Sequence, residues 1–141
     1  MSSAGFTLRY PSTWTRLTSV QLAQLRQAPV AALLRRDGTG LVTVRRIGPI
    51  HELSAALVRS LDLQFARRLP DYHRLAAKFI TIRAGRAFFF SYLRAGQGSL
   101  HTIVVVPAGA RSYTIDATEN PDKHQTAVDV GRIIGSFAVQ R

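Results

Sequence analysis

Gly5-Phe6-Thr7-Leu8-Arg9-Tyr10-Pro11-Ser12-Thr13-Trp14 is the stretch whose reading decides the fold. Phe6, Leu8 and Tyr10 alternate with other residues in the pattern of a strand with one buried face. Pro11 has no N–H to give to a sheet ladder, so the strand must stop there or lie at an edge. Trp14 then offers a large apolar surface and is expected to fold back onto the core. The pattern speaks for a scaffold, and no catalytic or cofactor motif rises above background elsewhere in the chain.

Beyond Trp14, Thr18 or Ser19 can cap a short helix running through Val20, Leu22 and Leu25 and ending before Pro29. Two β-prone runs, 31–36 and 41–46, flank Asp37-Gly38-Thr39-Gly40 and read as a hairpin. That Gly-rich turn joins strand to strand and lacks the lysine and following helix of a phosphate-binding loop. Gly48-Pro49 introduces a helix over 51–69, with Leu53, Leu57, Leu61, Phe65 and Leu69 forming one apolar stripe for packing on a sheet. Pro70-Asp71 ends it.

The second half is β-rich. An extended segment from Tyr72 to Ile82 is followed by strands over 86–94, 99–106 and 111–118, joined by the Gly-containing connections 95–98 and 107–110. Asn120-Pro121-Asp122 supplies a cap, a first-turn proline and an acid for a final helix over 121–136, with Ala127, Val130, Ile134 and Phe137 on one face. If each connection closes a simple hairpin, Arg94 opposes Ser99 and Val106 opposes Arg111. Phe88, Phe90, Ile103 and Val105 then share one face, and Phe89, Leu93, Leu100, Val104, Tyr113 and Ile115 share the other. Both faces are apolar, so helices should cover both. The expected fold class is α+β, a three-layer α/β/α sandwich around a mainly antiparallel sheet of about six strands. It should form one domain over 1–141.

Nineteen Lys and Arg against eight Asp and Glu give a net charge of +11, with Lys78 and Lys123 the only lysines. Such a balance attracts anionic partners. The pairs Arg35-Arg36, Arg45-Arg46 and Arg67-Arg68 never grow into a basic run, a spacing that favours scattered surface charge. No stretch of about 18 apolar residues spans a membrane. Met1-Ser2-Ser3-Ala4 leads directly into the first strand. The compartment expected is therefore cytoplasmic for a native full-length chain, or the envelope if an upstream signal has been removed. Without cysteine there are no disulfides or thiolate metal sites.

The opening decapeptide resembles that of the PsbP-like superfamily, which includes photosystem PsbP, the Ran-binding Mog proteins and many bacterial domains of unknown function. The resemblance extends to Gly85-Arg-Ala-Phe88 and to Ile133-Ile134-Gly135-Ser136-Phe137, where a final helix ends on a Ser-Phe pair packed back on the sheet. It implies an antiparallel sheet between helices and a non-catalytic binding or assembly role. The sequence shows no N-terminal arm of the kind PsbP uses, and its positive charge offers no acidic Ran-contact surface, so neither specific function is expected to transfer.

The simple register also sets Tyr92, His101 and Asp116 on one rung, a phenol, an imidazole and a carboxylate of the kind that orients a general base. The plainer account is a polar rung satisfying its own members, because no serine, cysteine or second carboxylate is aimed at the histidine. His51, His73 and His124 lack metal-ligand spacing, and the scattered acids give no catalytic carboxylate pair. Phe88-Phe89-Phe90 must alternate faces, which favours core packing over base stacking. The expectation is a non-enzymatic binding or assembly module for a protein or small ligand, in an envelope-associated or assembly process. It needs no cofactor and no metal. The alternative is a basic module binding an anionic polymer, nucleic acid or an acidic envelope component. The candidate binding residues are Arg35, Arg36, Arg67, Arg68, Tyr92, His101 and Asp116, with none assigned to catalysis.

Overall fold

The opening decapeptide does not form one strand. In the computed structural model, which describes residues 1–3, 5–50 and 54–140, only Phe6–Thr7 is extended (β2). It lies between β1 (Ser2–Ser3) and a C-terminal strand β10 (Ala138–Val139), pairing antiparallel with both. Phe6 and Leu8 are buried as expected, and Tyr10 is half-buried. Pro11 O accepts from Trp14 N at 3.0 Å, a turn that launches a second strand, β3 (Trp14–Arg16).

β3 begins a seven-stranded sheet of order β3-β4-β5-β9-β8-β7-β6, in which every pairing is antiparallel. The others are β4 (Ala31–Arg35), β5 (Gly40–Ile47), β6 (Tyr72–Ile82), β7 (Gly85–Arg94), β8 (Ser99–Val106) and β9 (Ser112–Glu119). The sheet thus has one strand more than expected, because Trp14 itself supplies an edge. The short helix is α1 (Ser19–Gln24), closed by a capping box between Thr18 and Gln21.

One face of the sheet gives Val42, Val44, Val104 and Ile115 to the main core, shared with Val130, Ile133 and Ile134 of α3 (His124–Ser136). The opposite face carries a smaller cluster of Phe88, Phe90, Tyr92 and Val105. Val58, Leu61, Phe65 and Leu69, from α2 (Ala55–Arg68) and its C-cap, pack there half-buried. The contact stripe therefore uses Val58 in place of Leu57. A repeat of four runs ahead of the 3.6-residue turn by about 40° per step, so a long i+4 series drifts off the packed face. The expected start of α2 at 51, and Leu53 and His51 with it, lie outside the described residues. The observed helix is capped by Ser54, whose Oγ accepts from Leu57 N at 3.1 Å.

The final helix starts later than expected. Asn120 Oδ1 accepts from Asp122 N at 3.0 Å and Asn120 O from Lys123 N at 3.1 Å, so Asn120-Pro121-Asp122 forms a turn. Helix α3 begins at His124 with Lys123 as an N-cap that makes no side-chain bond. Its buried residues are Thr126, Asp129, Val130, Ile133 and Ile134, and Ala127 is exposed. Two polar residues occupy the inward face, which an apolar pattern cannot reveal. At the far end Phe137 is fully buried, stacked on Phe6 at 5.2 Å. Ser136 Oγ accepts from Arg9 N at 2.8 Å, tying the Ser-Phe pair to the opening segment.

Candidate functional site

The hairpin between β7 and β8 keeps the expected register, with Arg94 opposite Ser99 and Tyr92 opposite His101. Between β8 and β9 the register is displaced by two residues, Val106 facing Tyr113 and His101 facing Thr118. Asp116 therefore opposes Ile103, and the expected Tyr92–His101–Asp116 rung does not form. The cause is the connection after Val106. Ser112 Oγ accepts from Ala108 N at 3.1 Å and from Ile50 N at 3.0 Å, which holds a wider loop than a simple turn. Because the slip is two residues, each side chain stays on its expected face.

The three residues nonetheless meet. Tyr92, His101 and Asp116 line a cleft of about 390 Å3 between the sheet and the C-terminal end of α2, where Phe65, Arg68 and Leu69 form one wall. Arg26 and Gln27, just past α1, form another, and Thr43, Arg45 and Thr118 complete the sheet side. Four of the seven expected site residues are thus brought together. Arg35 goes elsewhere, ion-paired with Asp37 and, at 3.4 Å, with buried Asp129. Arg36 bonds Thr15 Oγ1 at 3.4 Å, and Arg67 lies in a shallow hollow on α2 with Arg59, Leu63 and Gln64.

The cleft's charges are unequal. Arg45 grips Asp116 Oδ2 through Nε at 3.0 Å and Nη2 at 2.6 Å, from a diagonal position on the neighbouring strand. Asp116 Oδ1 is buried without a hydrogen-bond partner among the described residues. Burial raises the Asp116 carboxyl above its ordinary value, and Arg45 opposes that rise. Gln27 Oε1 accepts from Arg45 Nη1. Gln27 does so from a left-handed backbone, φ 64°, followed by Ala28 at φ 36°, conformations that non-glycine residues rarely adopt. Arg26 and Arg68 are exposed and make no ion pair with any described residue.

An aromatic ladder joins the α2 wall to the sheet side of the cleft. Phe65 stacks on Phe90 at 5.3 Å and on Tyr92 at 5.4 Å, and Tyr92 stacks on His101 at 5.0 Å with the rings within 8° of parallel. Burial, and next the Asp116 charge, raise the Tyr92 phenol. His101 is bonded on both sides, Nε2 to Ser99 Oγ at 2.8 Å and Nδ1 to Thr118 Oγ1 at 3.3 Å. A serine is therefore aimed at the histidine after all, an i, i+2 neighbour on the same strand. Ser99 does not line the cleft; it borders a separate hollow of about 380 Å3 at the strand ends, with Glu119. Glu119 Oε2 is buried there without a partner among the described residues, and burial raises its carboxyl.

Burial lowers the His101 imidazole below its ordinary 6.5, Arg94 pushes the same way, and Asp71 opposes them. The unfolded chain then takes up this proton first as pH falls. The contribution of His101 to stability is whole above about pH 6.5 and fades as pH drops toward the folded value. His101→Gln should flatten the pH dependence of the urea midpoint between about pH 7.5 and about pH 5.5. A His101 proton-resonance titration midpoint at or above 6.5 would contradict this.

Sequence reasoning missed Arg26, Gln27, Thr43 and Thr118. Arg45 stood out only as half of a basic pair. Nothing in the local pattern says that the loop after α1 closes over β5 and β8.

No family model matches the chain, and no curated protein matches its sequence. Solved structures match its fold. Cyanobacterial PsbP (CyanoP) from Synechocystis sp. PCC 6803 aligns with a TM-score of 0.65 at 11% identity, covering 99% of this chain and 95% of that one. LpqN of Mycobacterium tuberculosis, involved in cell envelope biogenesis, aligns with a TM-score of 0.64 at 15% identity, covering 99% and 87%. A protein from Bacteroides thetaiotaomicron VPI-5482 aligns with a TM-score of 0.60 at 13% identity over 98% of this chain and 46% of its own. The chain has the PsbP-like fold.

Proposed function

We propose that this chain is a non-catalytic binding module, one domain over 1–141 with helices layered on both faces of its sheet, that takes its ligand into the cleft under α2. The observation that carries the proposal is convergence. Arg68, Tyr92, His101 and Asp116 come from three strands and a helix into one concavity, walled by a loop held in a left-handed conformation. Concave sites combining aromatic walls with a few placed polar groups are the common form of ligand pockets.

Binding is favoured over catalysis because the acid–base groups are committed. The Asp116 carboxylate is paired with Arg45, and a hydroxyl stands at His101 Nδ1 where a hydrolytic triad needs a carboxylate. Ser99 faces a different hollow. The anionic-polymer alternative would need Arg35, Arg36, Arg67 and Arg68 on one surface. Their separation favours the cleft instead. The involvement of LpqN in cell envelope biogenesis makes an envelope-associated assembly role the corresponding expectation here.

The chain has no cysteine, so Thr43→Cys places a single thiol in the cleft, away from the hollow beside Ser99. Its alkylation should slow in the presence of the small-molecule fraction of the source cells. An unchanged rate contradicts the proposal, as does Ser99-dependent hydrolysis of an activated ester.

A further inference from the structure

We propose that the cleft is built for a small organic oxyanion, a carboxylate or phosphate carried on a flat, apolar body. The inference rests on the cleft being the ligand site, and it names what that site selects. Three guanidiniums, from Arg26, Arg45 and Arg68, line the cleft against one carboxylate, Asp116. That carboxylate is already held twice by Arg45, so the pair is close to neutral and the charge left over is positive. His101, its imidazole pushed toward the neutral form, leaves that balance to the arginines.

Arg26 and Arg68 line the cleft from two different elements, the loop after α1 and the last turn of α2, and neither has an acidic partner among the described residues. Guanidinium forks match carboxylate and phosphate oxygens in geometry as well as charge. In a molecule of net charge +11, surface arginines alone would mean little. These two differ because they line the same cleft as an apolar floor. Tyr92 and Ile103 form that floor beside Phe65 and Leu69 of the α2 wall, with the Tyr92 ring stacked on both Phe65 and His101. A bare inorganic ion would leave the floor wet. A flat, apolar body laid along that lining covers it and carries the oxyanion to the guanidiniums.

The test is a titration of the isotope-labelled full chain at low salt, followed by backbone amide shifts, with benzoate, phenyl phosphate, benzylammonium and inorganic phosphate as separate probes. Benzoate and phenyl phosphate are expected to move the amides of Gln27, Thr102 and Thr118. Arg26→Gln and Arg68→Gln should each weaken that binding by about threefold to tenfold, as for partly exposed charge-assisted contacts. Neither side chain makes a folded-state ion pair with a described residue, so both variants should keep the wild-type urea midpoint.

If benzylammonium moves the same amides as strongly, or if the two variants bind benzoate unchanged, the anion preference is overturned while the cleft stands as a site. If no probe moves these amides, the cleft itself fails as the site. Inorganic phosphate binding as tightly as phenyl phosphate overturns the role of the apolar floor. A short oligonucleotide whose binding needs Arg35 and Arg36, and not Arg26 and Arg68, would assign the positive charge to a polymer instead.

Discussion

Asp129→Ala is expected to destabilise the folded chain by about 3–5 kcal/mol, the usual cost of removing one partner from a buried charged network. Asp129 is 2% exposed in the middle of α3. Its Oδ2 accepts from Trp14 Nε1 at 2.9 Å and Arg35 Nε at 3.4 Å, and its Oδ1 from Gln125 Nε2 at 2.9 Å. Alanine would leave the indole N–H of a buried tryptophan without an acceptor and remove one of the two carboxylates that neutralise Arg35. Burial alone would raise the Asp129 carboxyl, but the bonds from Trp14, Gln125 and Arg35 outweigh it and hold the group below its ordinary 3.8. A carboxyl lowered on folding contributes stability that is present above its unfolded value and lost as pH falls through the folded one. The gap between wild type and Asp129→Asn should therefore be widest near neutrality and close in acid, below about pH 3.8. The single tryptophan, bonded to this very group, reports the unfolding by its fluorescence. An alanine variant within about 1 kcal/mol of wild type in urea would show that the network does not join the edge strand to α3.

Phe137→Ala should cost about as much, some 3–5 kcal/mol, for a different reason. No charge is involved. The ring is fully buried between Phe6 at 5.2 Å and Tyr113 at 5.5 Å, where the small sheet meets the main core. Removing it leaves a cavity under the pairing of β2 with β10, the contact that joins the two ends of the chain. Amide exchange at Phe6 and Val139, whose strands are only two residues long, should rise more than exchange at the centre of β8. Phe137→Leu should recover most of the loss, because it keeps much of the volume. Uniform exchange across the molecule in the alanine variant would count against this local role.

These two side chains also mark where the sequence was legible. The hairpin of β4 and β5 and the β7–β8 register follow from β-prone runs closed by short glycine-containing turns, signals confined to neighbouring residues. Both sheet faces were assigned correctly for the same reason, since parity survives a two-residue slip. The β8–β9 register failed because Ser112 bonds Ile50, a partner far along the chain that the local pattern does not show. β10 pairs residues from opposite ends of the chain and is too short to carry a pattern. Thr126 and Asp129 were missed because apolar spacing marks a buried face only where that face is apolar.

The site divides in the same way. Tyr92 and His101 were placed side by side by a hairpin, and Asp116 came close by sharing their face. Their convergence with Arg26, Gln27 and Arg45 depends on how the loop after α1 settles over the sheet, a tertiary outcome. The Arg67-Arg68 pair misled because neighbours on a helix diverge. Arg68 enters the cleft while Arg67 lies in a separate hollow of the same helix.

The most direct measurement of the central claim is a crystal structure of the full chain exposed to a mixed set of small fragments, anionic, neutral and cationic. The predicted result is a fragment seated among Arg68, Tyr92, His101 and the Arg45–Asp116 pair. Fragments gathered instead in the hollow beside Ser99 and Glu119, with the cleft under α2 empty throughout, would contradict it.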